Sequence, residues 1–87
     1  MSGSGRHWVL YLIECQRGEG TVYYAGITTD VARRFKEHAS GKGARFTRAN
    51  PPIRLVATRE FTDRAAASRA EAALKKLPRQ RKPGFFV

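Results

Sequence analysis

A chain of 87 residues has room for one compact domain with one modest core, and its 41% hydrophobic content is ordinary for a globular protein. Lys and Arg number 17 against 7 Asp and Glu, a formal charge of +10 that attracts polyanions, nucleic acid first among them. No apolar run is long enough to cross a bilayer, no signal peptide precedes the first apolar stretch, and the single Cys15 excludes an internal disulfide or a cysteine-based zinc cage. A reducing cytoplasm is the expected setting.

Residues 1–6 read as a flexible leader rich in Ser and Gly. The run Trp8-Val-Leu-Tyr-Leu-Ile13 is apolar on both alternating faces, which predicts a strand buried on both sides. Gln16-Arg-Gly-Glu-Gly20 supplies turn residues, and Thr21-Val-Tyr-Tyr-Ala25 returns as a second strand, so the two make a hairpin. Gly26 to Asp30 closes that strand and opens a helix, with Thr29 or Asp30 as N-cap, running to about Ala39. Ser40-Gly-Lys-Gly43 stops it. Residues 44–49 suit a short helical turn, which Asn50-Pro-Pro52 ends. Ile53 to Thr58 reads as a third strand, and an alanine-rich helix runs from Asp63 to about Leu77, closed by Pro78. Together these predict an α+β domain over residues 7–82: a three-stranded, largely antiparallel sheet flanked by helices, followed by a C-terminal tail at 83–87.

Several residues sit where folding alone would not put them. Arg34 and His38 are one helical turn apart beside the apolar Val31 and Phe35, so the helix aims a guanidinium and an imidazole at the sheet or its rim. The plain account is an arginine paired with a carboxylate next to a satisfied histidine; the functional one gives the arginine a phosphate. On the last long helix, Ala66, Ala67, Ala70, Ala73, Leu74 and Leu77 mark an inner face with Glu71 at its edge. A carboxylate there suits a hard divalent cation completed by water and phosphate oxygens, whereas the plain account is a Glu71–Lys75 pair worth about 0.3 kcal/mol. A hairpin symmetric about Arg17 and Gly18 places Tyr11 directly opposite Tyr24 on one face of the sheet.

Val9-Leu-Tyr11, then Tyr24-Ala-Gly26, then Ile27-Thr-Thr-Asp-Val-Ala-Arg-Arg34-Phe-Lys-Glu-His38 resembles the GIY-YIG nuclease family, more narrowly its small single-domain bacterial branch related to structure-selective endonucleases. Gly41 to Arg48 and Ala67 to Lys76 continue the likeness, which spans roughly residues 7–82. The first triplet is relaxed to Val-Leu-Tyr, Phe46 stands where relatives often carry Tyr, and no polar amide matches the family pattern after Glu71.

The resemblance implies catalytic roles for Tyr11, Tyr24, Arg34, His38 and Glu71. Glu71 would ligate one Mg²⁺ or Mn²⁺, Arg34 would brace the scissile phosphate, and a tyrosine would activate water. It implies a phosphodiester hydrolase with a role in DNA repair, recombination or processing. Free tyrosine has a pKa of about 10, and Arg34 with the metal would favour its phenolate. Lys42, Arg45 and Arg48, with Lys75, Lys76 and Arg79 as a second patch, are the expected phosphate contacts. No base-reading helix is evident, so low sequence specificity or recognition of a branched or single-stranded shape is expected, on DNA before RNA, with no membrane involvement. Small domains of this type can also require a protein partner. The rival expectation is a basic nucleic-acid-binding module without chemistry.

Overall fold

The computed structural model describes residues 7–87; the expected leader lies outside the described residues. Strand β1 (Trp8–Arg17) is central in a three-stranded sheet, with β2 (Gly20–Thr28) on one side and β3 (Pro52–Phe61) on the other, both antiparallel to it. Its position explains why its sequence is apolar on both faces: Leu10 and Leu12 point one way, Tyr11, Ile13 and Cys15 the other, and all five are buried. Helices α1 (Val31–Ala39) and α2 (Arg45–Ala49) belong to the Tyr11 face through Phe35 and Phe46. Helix α3 (Arg64–Lys75) covers the other face with Ala70 and Leu74.

Local chemistry sets the element ends. Asp30 caps α1 by accepting from the Arg33 amide at 3.1 Å, and Asp63 caps α3 by accepting from the Ala66 amide at 2.8 Å. At the far end of α3 the Lys82 ammonium donates to the carbonyls of Leu74, Lys75 and Leu77, the last at 2.7 Å, where a cation suits the helix dipole.

Three expectations change. The hairpin closes on Arg17 and Gly20, with Gly18 in the left-handed region (φ 57°), so Tyr11 pairs with Gly26 and Tyr24 with Ile13. The two tyrosines share a face diagonally instead of standing opposite each other. Ala73, placed on the inner face of α3 by helical spacing, is exposed, and the buried contacts come from Ala67 and Leu74. Residues 83–87 are no tail: Pro83–Phe86 forms a 3-10 turn that packs Phe85 and Phe86 against the core. Both rings are partly buried, and the apolar surface they remove from water favours the folded-back path.

Candidate active site

The Tyr11 face holds a buried polar chain. His38 is the buried residue of α1, with 1% of its surface exposed, although a histidine in that position has two ring nitrogens to satisfy. Both are satisfied: Nε2 lies 2.9 Å from the Tyr11 hydroxyl, and Nδ1 lies 2.8 Å from the Thr47 hydroxyl. Thr47, itself buried in α2, also donates to the Ala44 carbonyl at 3.0 Å. The line Tyr11–His38–Thr47 thus joins β1, α1 and α2.

Two glycines make room for it. A Cβ on Gly26 would run into the Tyr11 hydroxyl, and a Cβ on Gly43 would run into His38 Nδ1. Neither position needs a positive φ; each needs the backbone to pass close to a polar ring atom. The Tyr24 ring lies edge-on to His38, with centroids 5.2 Å apart, and stacks on Phe46 at 5.5 Å. Phe46 therefore gives Tyr24 an apolar wall, and the Tyr24 hydroxyl has no hydrogen-bond partner among the described residues.

Electrostatics separate the roles. Burial pushes the Tyr11 phenol above 10, and the neighbouring Arg34 guanidinium opposes that shift without cancelling it. The expected phenolate is thus not favoured by this protein's own charges, because loss of hydration outweighs one partly exposed cation. Burial, and then Arg34, push His38 below its ordinary 6.5, so it is a neutral imidazole at neutral pH. Arg34 itself donates to Glu37 at 2.9 Å, and this bond raises its pKa further. The carboxylate partner of the plain account is therefore present, but a guanidinium has five donors and keeps others for a phosphate. Cys15, pushed up to about 11 by burial, is a thiol of the buried core that stays protonated at neutral pH.

A match to the GIY-YIG catalytic domain extends over residues 7–83. The chain belongs to the GIY-YIG family, a family of nucleases. It is 59% identical over 75 residues to a UPF0213 protein of Xanthomonas axonopodis pv. citri, covering 86% of this chain and 71% of that protein. With a UPF0213 protein of Halobacterium salinarum it shares 43% over 77 residues, 88% of this chain and 96% of the relative. The solution NMR structure of a UPF0213 protein from Bacillus halodurans is 46% identical and superposes with a TM-score of 0.51, over 90% of this chain and 80% of that one. The three-stranded antiparallel sheet with flanking helices is therefore the architecture expected from the sequence.

In this GIY-YIG domain Tyr11 and Tyr24 each contact the His38 ring, and Arg34 adjoins Tyr11. Glu71 reaches this group only through its field, which raises the Tyr11 pKa slightly; its Oε2 is 3.0 Å from Lys75 Nζ. Its side chain is 21% exposed, and no cluster of three or more His, Cys, Asp or Glu that could hold a metal occurs among the described residues. A lone carboxylate fits a hard cation such as Mg²⁺, which takes oxygen ligands and commonly keeps several waters. It does not fit a metal caged by protein side chains alone.

The basic residues divide. Arg45 and Arg48 line an open depression of about 350 Å³ with Ala49, and neither has a carboxylate partner among the described residues. Lys42 is exposed in the preceding loop. In the second patch Lys75 is held by Glu71 and Arg79 donates to Thr21 Oγ1 at 3.0 Å, while Lys76 is exposed at the C-cap of α3. Sequence reading missed Thr47 and Gly43. Thr47 sits between two arginines in a basic loop and looks like surface, and only the docking of α2 on α1 reveals its partner.

Proposed function

We propose that this protein is a divalent-metal-dependent endonuclease that hydrolyses nucleic acid phosphodiester bonds. DNA is preferred over RNA, with low sequence specificity and selectivity for branched or single-stranded shape. Its setting is the cytoplasm, in DNA repair, recombination or processing. The observation that carries this reading is the buried Tyr11–His38 hydrogen bond at 2.9 Å, set beside Arg34 in a chain of the GIY-YIG family.

Tyr11 is the general base in this scheme. Its raised pKa argues against prior ionisation, so proton transfer is concerted. Water attacks phosphorus in line and gives its proton to the Tyr11 oxygen, while the Tyr11 proton passes to Nε2 of neutral His38. The departing oxygen takes a proton from solvent, and the imidazolium returns its own through Tyr11. Arg34 neutralises the non-bridging oxygens with the donors that Glu37 leaves free. Tyr24 positions His38 by ring contact. Glu71 would hold a Mg²⁺ or Mn²⁺, which would supply charge stabilisation to the reacting phosphate. Lys42, Arg45 and Arg48, with Lys75, Lys76 and Arg79 in support, hold the flanking backbone through phosphate charge alone.

The test is cleavage of labelled single-stranded, duplex and branched DNA and a structured RNA, with Mg²⁺, Mn²⁺ or EDTA. Metal-dependent cleavage is expected, and Glu71→Gln should abolish it while sparing binding. Full cleavage by that variant overturns the metal assignment. The one-carboxylate site and its Lys75 pair favour a second reading, a binding module without chemistry. Salt-sensitive binding with no cleavage under any metal would select it.

A further inference from the structure

Thr47 hydrogen-bonds neither a tyrosine nor the expected metal carboxylate among the described residues, yet it is 1% exposed and spends its hydroxyl on two short contacts. A hydroxyl has one hydrogen, so the two contacts cannot both be donations. With the histidine proton on Nδ1, every short contact has a hydrogen of its own. His38 Nδ1–H donates to Thr47 Oγ1 at 2.8 Å, Thr47 donates to the Ala44 carbonyl at 3.0 Å, and Tyr11 donates to Nε2 at 2.9 Å. With the proton on Nε2, Thr47 must turn its hydrogen to Nδ1. Its oxygen then faces the Ala44 carbonyl oxygen at 3.0 Å with no hydrogen between them. The one contact that favours this second arrangement is the Ala44 amide, which reaches Nδ1 only at 3.5 Å. An N–H···N contact that long is weak beside a short hydroxyl bond. The carbonyl needs Thr47 less than it might, since the Arg48 amide also donates to it at 3.1 Å, but two facing oxygens still repel.

The geometry points to Thr47 as a positioning residue that locks His38 in its Nδ1–H tautomer, aims the Nε2 lone pair at Tyr11, and so fixes the direction in which the Tyr11 proton leaves. The partner of one ring nitrogen decides what the other can do. In the opposite tautomer Nε2–H would donate to the Tyr11 oxygen, occupy the lone pair that must receive the proton of water, and leave that proton no exit. The surroundings preserve the lock: the close passage of Gly43 over Nδ1 leaves no space for a side chain, and His38 is buried from solvent. Thr47 also lies between Arg45 and Arg48, the two arginines of the basic depression. The helix that sets the tautomer is therefore the helix that would hold a flanking phosphate. The catalytic consequence rests on the proposed nuclease reading; the tautomer itself does not.

The experiment is a long-range proton–nitrogen NMR spectrum of the His38 ring in the whole protein, wild type beside Thr47→Val and Thr47→Ser, with cleavage measured on the same samples. The expected wild-type spectrum shows a protonated Nδ1 and a bare, pyridine-like Nε2. Thr47→Val, which keeps the shape and loses the hydroxyl, should move the proton to Nε2 and slow cleavage by about tenfold or more, a part of the roughly 10²–10⁴-fold that general-base catalysis contributes. Thr47→Ser should restore both. A wild-type ring protonated on Nε2 overturns the proposal whether or not the variants fold. So does a folded Thr47→Val with the wild-type ring pattern. If no nucleic acid is cut by any sample, the nuclease reading fails alone, and the ring spectra still decide the tautomer.

Discussion

The two faces of β1 are built from alternate residues of one strand and solve opposite problems. Leu10 and Leu12 meet Ala25, Leu74 and, around them, Phe85 and Phe86, a wholly apolar contact that any well-filled packing would satisfy. Tyr11 meets His38 and Thr47, where each buried polar atom needs one partner at one distance. Fully buried polar groups cost stability unless every one is bonded, so the second face gives up tolerance to hold a geometry. The contrast separates two demands: the face built of Leu and Phe is bound by packing alone, and the face that spends its interior on a tyrosine, a histidine and a threonine is bound by partner and distance, which is where the proposed proton transfer is sited.

Leu74→Ala tests the apolar face with the largest expected effect. Removing a fully buried leucine should cost about 2–5 kcal/mol, read as a lower urea midpoint. Cleavage per folded molecule should stay unchanged, and a loss of activity in the folded fraction would blur the division between the faces.

Arg45→Ala with Arg48→Ala tests the rim of the polar face. Stability should hold, binding at low salt should weaken by about tenfold, and the salt slope should flatten by about 0.7–0.9 for each phosphate no longer neutralised. An unchanged slope would remove α2 from the substrate path.

The smallest effect is that of pH on stability through His38. Burial holds its folded pKa below 6.5, so the unfolded chain takes up a proton that the folded one refuses. Its contribution is therefore complete above 6.5 and is lost as pH falls through the folded value. Urea midpoints from about pH 8 to about pH 5 should show a decline that His38→Gln lacks. An identical profile in that variant would place the pH dependence elsewhere.

Much of this was legible in the sequence because strands and helices announce themselves by period and punctuation. The continuous apolar run of β1, Asp30 as a cap and the stop at Pro51-Pro52 each carry a local signal. The hairpin register did not, because Gly18 and Gly20 both accept a turn and a shift of one residue in its centre moves each pairing by two. The C-terminal Phe85-Phe86 was too short to show a period, and only its contact with the core reveals it as structure. Within the candidate site, Tyr11, Tyr24, Arg34, His38 and Glu71 came from the family likeness, and the first four gather. Thr47 and Gly43 were invisible for a physical reason: their importance lies in a tertiary contact with His38, which no spacing encodes.

The central claim is that the Tyr11 hydroxyl moves a proton, and Tyr11→Phe removes that oxygen while keeping the ring that fills the same space. Single-turnover cleavage and binding would be measured on the same preparation with Mn²⁺ and the preferred DNA. The account predicts unchanged affinity and cleavage reduced by about 10²–10⁴-fold. Cleavage at the wild-type rate would contradict it and leave the buried polar chain a structural device.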